Sequence, residues 1–335
     1  MSEDRMSEEF TYKGAGVDIE EAAALVGDIG ELRARTEAKR SLMQSFGLFA
    51  ASYDLSEYNE PVIVTGCDGV GTKLELLLEH DQLEIAGKDL VAMNVNDILT
   101  TGGDPLLFLD FVGIGAIDKT KIKRLIAGMA EHLASCDCIL AGGETAEMPG
   151  IVPDGVIELS GFCVGAAEKS DLIDPSRIEA GDKLIGYPSD GFHANGWSLI
   201  RKILAAHPDL IDENEWVPFL APTRLYHDVV GGLRERSLDV KAMAHITGGG
   251  LPENLERLLG EKGASIEIPR WDLGAVAKVL SFVDDAEAIK TFNMGWGWVA
   301  ILGADEAEAA SSFHDGSRVI GEVNDSGSIE VKITA

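Results

Sequence analysis

The chain has 335 residues, of which 45% are hydrophobic, and it carries 28 basic against 57 acidic side chains, a formal net charge of −29. This length predicts two domains, and the hydrophobic content excludes a fully disordered chain. The net charge argues against nucleic acids and anionic membranes as partners, because both are bound by basic surfaces.

The acidic residues are dispersed along the chain, as in the run from Asp305 to Glu308, and few lysines balance them. This pattern resembles the solvated acidic surface of proteins from a high-salt cytoplasm. Repulsion between like charges is then expected to destabilise the fold at low ionic strength. No apolar run has the length of a membrane span, and Met1 to Arg5 lack the pattern of a signal peptide, so we expect a cytoplasmic protein.

The four cysteines are Cys67, Cys136, Cys138 and Cys163. They include one C-x-C pair but lack the paired C-x-x-C spacing of zinc sites, and a cytoplasmic location disfavours disulfides. We therefore expect all four to be small buried thiols.

The first half of the chain alternates apolar runs with helical patterns, after a polar segment at residues 1–11 that we expect to be disordered. Strands are predicted at 61–65, 106–112, 138–141 and 157–165, and helices at 18–49, 89–101 and 119–135. This alternation indicates an α/β or mixed α+β first domain. Turn-forming residues at 169–176 predict a boundary between domains at 12–170 and 171–335.

The second half opens with a predicted strand at 182–186, which leads through Ser189–Gly196 into a helix that begins at Trp197. The pattern recurs at His245–Gly250, before a predicted helix at 252–259 with a proline in its first turn. Both glycine-containing segments precede a helix N-terminus, where backbone N–H groups and the helix dipole favour anions.

The first motif with chemical potential is Gly66–Lys73, which reads Gly-Cys-Asp-Gly-Val-Gly-Thr-Lys and follows the first predicted strand. A carboxylate, glycines, a hydroxyl and an ammonium at a strand end suit a phosphate or a metal-bound phosphate. The glycine spacing is that of a P-loop, but the order Thr-Lys is inverted, which argues against that mechanism. A plain tight turn is the alternative interpretation.

The second motif lies on the helix predicted from Asp89. Asp89, Asn96 and Thr100 share one stripe of this helix with Asp97 beside them, and the opposite face is apolar. A polar stripe is commonly a solvated face, and that interpretation stays open at this point. Carboxylate and amide oxygens also suit Mg²⁺ that is bound together with substrate phosphates.

The third motif is Gly142–Gly150, which reads Gly-Gly-Glu-Thr-Ala-Glu-Met-Pro-Gly and follows the strand predicted at 138–141. The glycines allow close backbone approach, while Glu144 and Thr145 offer an acceptor and a donor at the strand end. The spacing alone does not separate a catalytic loop from a structural one.

The order of these motifs resembles the aminoimidazole ribonucleotide synthetase family, also called phosphoribosylformylglycinamidine cyclo-ligases. The resemblance extends from Tyr12 to about Asn293, and Gly142–Gly150 is its most specific part; Pro222–Arg224 and His245–Gly250 also match. It implies an enzyme of purine biosynthesis that uses ATP and Mg²⁺ to close formylglycinamidine ribonucleotide into the aminoimidazole ring, with release of ADP and phosphate through an iminophosphate intermediate.

The resemblance also implies the roles of individual residues. The metal and metal-bound phosphate would be held by Asp68 and Asp97, supported by Asp89 and Asn96. Nucleotide and phosphate contacts would come from Lys13, Gly69, Gly71, Thr72, Lys73, Thr145, Asn195, Thr247 and Gly248. Catalytic roles would fall to Asp68, Glu144, His193 and His245. Ala194 stands where many family members carry Ser or Thr, so no phosphate-binding hydroxyl is assigned there.

The family implies a mixed α+β fold in which the first domain binds ATP and metal and the second binds substrate. It also implies a homodimer in which first-domain strands form a barrel across the interface. A requirement for K⁺ stays open. Two alternatives remain: a relative with another acceptor, such as thiamine monophosphate kinase or selenophosphate synthetase, and a non-catalytic nucleotide-binding subunit.

Overall fold

The computed structural model describes residues 19–43 and 49–334, with side chains from residue 27 onward. These residues form two compact units. Unit 1 holds the described residues up to Val70 together with Leu74–Asn94 and Pro105–Ala166, and unit 2 holds Gly71–Lys73, Val95–Asp104 and the described residues from Ala167 onward. The expectation for residues 1–11 lies outside the described chain.

The elements of the first half are, in chain order, α1 (Ile19–Ala34), β1 (Pro61–Gly69), α2 (Lys73–Glu79), α3 (Leu83–Thr100), β2 (Asp104–Ile114), α4 (Lys119–Ser135), β3 (Ile139–Glu147) and β4 (Ile157–Glu168). Four strands form one sheet in the order β1-β4-β2-β3, and β2 and β3 pair in parallel. All four predicted strands are confirmed, and each extends beyond its apolar run. The predicted α4 is confirmed at both ends.

The first predicted helix was wrong beyond Ala34, where α1 ends and a short 3-10 turn, Arg35–Glu37, follows. The reason is tertiary. The Thr36 hydroxyl donates to the Arg33 carbonyl and accepts from the Leu140 N–H, at 2.7 and 3.0 Å. These contacts tie the chain to β3, and residues 38–43 continue without helix.

Residues along β2 alternate between buried and more exposed positions, as expected for a sheet covered on one face. Phe108, Asp110 and Val112 are buried, whereas Leu109 is exposed. Helices α3 and α4 cross closely, because a Cβ at Gly87 or Gly128 would collide with the backbone of the other helix. Unit 1 thus has its core between this sheet and its helices.

Cys67 corrects one sequence prediction. Cys136, Cys138 and Cys163 are buried as expected, and burial raises the pKa of the Cys136 thiol to about 12. Cys67 is exposed, because it occupies an alternate position on β1 whose side chain faces away from the core. All four thiols are free.

Unit 2 continues with β5 (Lys183–Pro188), α5 (Trp197–Ala206), α6 (Trp216–Phe219), α7 (His227–Glu235), β6 (Val240–His245), α8 (Gly250–Leu259), β7 (Gly263–Pro269), α9 (Gly274–Leu280), α10 (Asp285–Thr291), β8 (Trp296–Leu302), α11 (Ala307–Ser312), β9 (Arg318–Asn324) and β10 (Ile329–Thr334). The six strands have the order β10-β7-β9-β5-β8-β6. Every residue of β8 is buried. No helix within the described ranges is long and apolar enough to cross a bilayer.

Candidate functional site

The motif Gly66–Lys73 is divided between a strand, a turn and a helix. Asp68 and Gly69 are the last residues of β1, so they do not lie in a loop, and Lys73 begins α2. Gly71 adopts a φ of 67°, which favours glycine, and a Cβ there would lie 3.8 Å from the Ala194 carbonyl. The turn is therefore real, but it covers only residues 70–72.

Asp68 is held by a buried asparagine that the sequence interpretation missed. The Asn94 Oδ1 accepts the Asp68 N–H at 2.9 Å, and the Asn94 Nδ2 donates to the Asp68 and Leu90 carbonyls at 3.2 and 2.9 Å. The Asp68 Oδ1 accepts the N–H of Gly69 at 2.7 Å. Asn94 thereby fixes the backbone that carries Asp68. Its signal in the sequence is an amide within the otherwise apolar run from Val91 to Val95.

The polar stripe of α3 is not a solvated face, because Asp89 and Asn96 are both fully buried. The Asn96 Oδ1 accepts the Tyr226 N–H at 3.0 Å, and its Nδ2 donates to the Arg224 carbonyl at 2.9 Å. Both ends of this amide are therefore engaged with backbone. Asn96 holds protein structure in this arrangement and does not present its oxygen as a metal ligand.

Lys73 is also turned inward. Its side chain is fully buried, the Nζ donates to the Ala221 carbonyl at 2.8 Å, and it lies 5.5 Å from the centre of the Trp197 ring. Thr72 contacts α5 through its hydroxyl, 3.1 Å from that of Ser198. The ammonium predicted to meet a nucleotide phosphate thus stabilises a carbonyl of unit 2.

His193 is fully buried and adopts a φ of 57°. Its Nε2 accepts the backbone N–H groups of Asp190 and Arg224, each at 3.4 Å. Burial, with smaller contributions from the charges of His245, Lys73 and Arg224, holds the pKa of His193 well below its usual value. The ring is therefore neutral at pH 7, with its proton on Nδ1, and it orders backbone.

Lys73, Asn96 and His193 come from three different motifs, yet all three bind the backbone of one irregular stretch, residues 221–226, which we call the anchored segment. Buried polar groups are normally hydrogen-bonded, and here those bonds converge on a segment without regular secondary structure. The resemblance implied contacts of Lys73 with the nucleotide, of Asn96 with the metal and of His193 with the substrate, whereas unit 2 brings the three side chains together around protein backbone.

His245 lies at the end of β6, with its side chain almost fully buried. Its Nδ1 is 3.1 Å from the Asp97 Oδ1, and its Nε2 is 3.4 Å from the Asn96 Nδ2. Because an amide nitrogen only donates, Nε2 is the acceptor and Nδ1–H donates to the Asp97 carboxylate. This pair of contacts defines the tautomer of His245 and leaves Asp97 partly exposed.

The glycine-rich loops that contain Asn195 and Thr247–Gly250 lie side by side. A Cβ at Gly248 would lie 3.8 Å from the Asn195 Oδ1. The Thr247 hydroxyl donates to the Asn254 Oδ1 at 3.3 Å, and the Asn254 Nδ2 donates to the Gly248 carbonyl at 3.1 Å. Asn254, on α8, thus shapes this loop, and α8 begins at Gly250, two residues before the predicted start.

Glu144 and Thr145 belong to β3, which continues through the third motif as far as Glu147. Parallel pairing aligns Glu144 with Phe111, and Asp110 with Gly143. A Cβ at Gly143 would collide with the Asp110 carboxylate. Burial, reinforced by the charge of Glu144, raises the pKa of Asp110 to about 7. The sequence interpretation missed Asp110, although a carboxylate within an apolar strand was the available signal.

The resemblance implies a magnesium ion, which carboxylate and amide oxygens would hold. The described part of the chain contains no cluster of three or more His, Cys, Asp or Glu side chains placed to hold a metal. Asp89 and Asn96 are buried, whereas Asp68 and Asp97 are partly exposed. A partly exposed carboxylate suits Mg²⁺ that arrives with ATP, because phosphates and waters supply its other ligands. Lys13 lies outside the described residues.

Both halves of the chain match known family models. Residues 50–167 match "AIR synthase related protein, N-terminal domain", and residues 179–334 match "AIR synthase related protein, C-terminal domain".

Relatives that align over most of the chain carry one and the same name. Proteins named phosphoribosylformylglycinamidine cyclo-ligase from Desulfitobacterium hafniense and Aromatoleum aromaticum are 43% and 45% identical over 314 and 312 residues. The first alignment covers 89% of this chain and 91% of the relative, and the second covers 90% and 89%.

Solved structures show the same fold at low sequence identity. A thiamine-monophosphate kinase from Stenotrophomonas maltophilia gives a TM-score of 0.68 at 19% identity, covering 90% of this chain and 94% of that one. The hydrogenase maturation protein HypE in complex with ATP gives a TM-score of 0.67 at 17% identity. This alignment covers 93% of this chain and 91% of the HypE chain. These likenesses establish a mixed α/β two-domain fold.

Proposed function

This chain belongs to the phosphoribosylformylglycinamidine cyclo-ligase family, and we propose that it converts formylglycinamidine ribonucleotide and ATP into aminoimidazole ribonucleotide, ADP and phosphate. Besides family membership, the geometry of unit 2 supports the proposal. Side chains from motifs far apart in the sequence converge on the anchored segment and on the His245–Asp97 pair.

The proposed reaction has two steps. The formamide oxygen of the substrate attacks the γ-phosphorus of ATP, ADP leaves, and loss of the formamide N–H proton gives an iminophosphate. The amidine nitrogen then attacks the activated carbon, phosphate departs with the former formyl oxygen, and loss of a proton completes the ring. Such phosphoryl transfer depends on positioning and charge stabilisation, and a covalent enzyme intermediate is unnecessary.

In this scheme the protonated Nδ1 of His245 is bound to Asp97, and its Nε2 is the basic atom of the ring. We propose that the Nε2 receives the proton lost during ring closure, once substrate displaces the long contact with Asn96. His193, which is buried and neutral, acts by ordering the backbone at Asp190 and Arg224. Glu144, exposed on β3, would contact a substrate or the nucleotide.

For the metal, we propose that Asp68 and Asp97 hold Mg²⁺ brought by ATP. When bound, this ion supplies charge neutralisation for the transferred phosphoryl group. Asn94 supports the site by fixing the backbone of Asp68.

Residues 12–170 would form the ATP-binding and metal-binding domain and residues 171–335 the substrate-binding domain. Lys13, Gly69, Gly71, Thr72, Thr145, Asn195, Thr247 and Gly248 remain proposed phosphate or nucleotide contacts.

We further propose a homodimer whose unit 1 sheets form a barrel across the interface. Ile63 on β1, Phe162 on β4 and Leu109 on β2 are 61%, 44% and 37% exposed, on three strands that neighbour one another in the sheet. Exposed apolar patches of this kind commonly mark protein interfaces. We also propose a cytoplasmic location and a surface adapted to high salt, and replacing KCl with NaCl in the assay tests for a K⁺ requirement.

The test is a coupled assay for ADP with three acceptors in parallel: formylglycinamidine ribonucleotide, thiamine monophosphate and selenide. We expect ADP with the first acceptor alone, in equal amount with aminoimidazole ribonucleotide. Each reaction is repeated with NaCl in place of KCl. Turnover with thiamine monophosphate or selenide, or no turnover with any acceptor in the presence of Mg²⁺, contradicts the proposal.

A further inference from the structure

Arg224 is the charged side chain that the anchored segment carries. Its backbone N–H is bound by His193 and its carbonyl by Asn96, so the main chain on both sides of the side chain is ordered by buried groups. Such support is what a binding residue needs, because its geometry is then retained without substrate. Arg224 belongs to a family motif, Pro222–Arg224, to which the sequence interpretation gave no role.

The guanidinium has one close acceptor among the described residues. The Arg224 Nη2 lies 2.8 Å from the His314 Nε2. The Asp190 and Asp228 carboxylates lie 3.8 and 3.9 Å from its nitrogens, which is too far for a hydrogen bond. About a quarter of the side chain is exposed. The planar group therefore keeps N–H donors for another acceptor, while the two carboxylates contribute attraction at longer range.

His314 is arranged to receive this arginine. Its Nδ1 lies 3.0 Å from the Asp315 carbonyl, and a carbonyl oxygen only accepts, so Nδ1 carries the proton and Nε2 presents its lone pair. The ring packs edge-on against Tyr187, with centroids 5.7 Å apart. The ring presents Nε2 to the guanidinium and so orients it, and the Asp228 carboxylate lies 3.6 Å from the same Nε2.

We propose that Arg224 binds a phosphate group of a substrate and that His314 is its positioning residue. The proposal rests on the proposed function, in which both substrates carry phosphate. The planar guanidinium matches phosphate oxygens through paired hydrogen bonds. The guanidinium is partly exposed, so its remaining N–H groups are accessible to a bound phosphate. The phosphate belongs either to ATP or to the ribonucleotide.

The experiment measures dissociation constants by calorimetry and steady-state kinetics for R224Q, H314F and H314Q. The ligands are Mg²⁺ with a non-hydrolysable ATP analogue, formylglycinamidine ribonucleotide, and ribose 5-phosphate. H314F keeps an aromatic ring but removes the acceptor, whereas H314Q keeps an acceptor near the same place. R318Q, which changes an arginine stacked on Trp296, is the matched control.

We expect R224Q to raise the dissociation constant and KM of one substrate about 30-fold, as a lost charge-assisted contact predicts. H314F should raise the same constants about tenfold with a smaller effect on kcat, H314Q should recover most of the loss, and R318Q should resemble the wild type. Weaker binding of the ATP analogue assigns the phosphate to ATP; weaker binding of the ribonucleotide and ribose 5-phosphate assigns it to the ribonucleotide.

Unchanged dissociation constants for all three ligands in R224Q would overturn the inference, as would equal binding by H314F and the wild type. A lowered melting temperature with intact binding would assign the pair a structural role only and would likewise overturn it. Failure of the proposed function is distinguishable: cyclisation would then be absent in the wild type, while Arg224-dependent binding of the ATP analogue or ribose 5-phosphate would still be measured.

Discussion

The His245 Nδ1 lies 3.1 Å from the Asp97 Oδ1, and this contact joins the end of β6 to the last turns of α3 within unit 2. The Asn96 amide on the other ring nitrogen requires the proton to be on Nδ1. A carboxylate that accepts this proton stabilises the ring when Nε2 gains a second one. Asp97 can therefore act on His245 as well as on a metal.

Replacing Asp97 with asparagine should lower kcat about 100-fold, because the carboxylate that supports His245 and contributes to metal binding is lost. Asp97→Ala should have at least as large an effect with the fold intact. The comparison is Asp239→Asn, which breaks an exposed ion pair with Arg177. A kcat within threefold of wild type for both Asp97 variants would rule out the assignment.

Asp68→Ala should reduce turnover by orders of magnitude, since the proposed metal ligand is removed while Asn94 continues to hold the backbone. We expect a melting temperature close to that of the wild type and a raised Mg²⁺ requirement. Asp54→Ala, at an exposed position of unit 1, provides the control. Near-normal kcat in Asp68→Ala would contradict the metal assignment.

Asp110 should make stability depend on pH. Its folded-state pKa is raised to about 7, above the ordinary value near 3.9, so between these values the folded protein holds a proton that the unfolded chain releases. The free energy of unfolding should therefore fall as pH rises from about 4 to about 7, by about 4 kcal/mol at most.

Asp110→Asn should remove this fall and be more stable than wild type at pH 8. The free energy of unfolding is measured in urea from pH 5 to 8. The pH profile of Asp154→Asn, a substitution at an exposed position, is subtracted from the profile of each protein. Parallel profiles for wild type and Asp110→Asn would show that Asp110 is ionised throughout this range.

Thermal stability should rise steeply from low salt to molar KCl, because ions screen the repulsion within a chain of net charge −29. Differential scanning calorimetry in KCl and, separately, in sucrose distinguishes charge screening from general stabilisation by an excluded solute. A melting temperature that is flat in KCl would reject the interpretation of a surface adapted to salt.

The proposed dimer should dissociate when a charge is placed on the exposed sheet face of unit 1. Ile63→Asp and Phe162→Asp each leave an unpaired carboxylate in the proposed interface, which is costly to bury. Val319→Asp, at a comparably exposed strand position in unit 2, is the control. Sedimentation velocity should show a dimer for wild type and control and monomers for the two variants; a monomeric wild type would refute the dimer.

Local elements were largely predictable. Helix α4 was predicted at both boundaries, and every predicted strand of unit 1 exists. The C-terminal ends of these strands were not predicted; in β3, Gly142–Glu147 pairs with β2 despite its glycines and charges, through contacts distant in sequence. The end of α1 was missed for the same reason, since Thr36 binds the backbone of β3.

The sequence by itself determined the family and the order of the motifs, because these depend on residue type and spacing. Only the tertiary structure decided which way the residues of those motifs face. Lys73, Asn96 and His193 point toward the backbone of residues 221–226, and Arg224 remains partly exposed beside them. That division depends on burial and on hydrogen bonds between residues 31 to 148 positions apart, which no local pattern encodes.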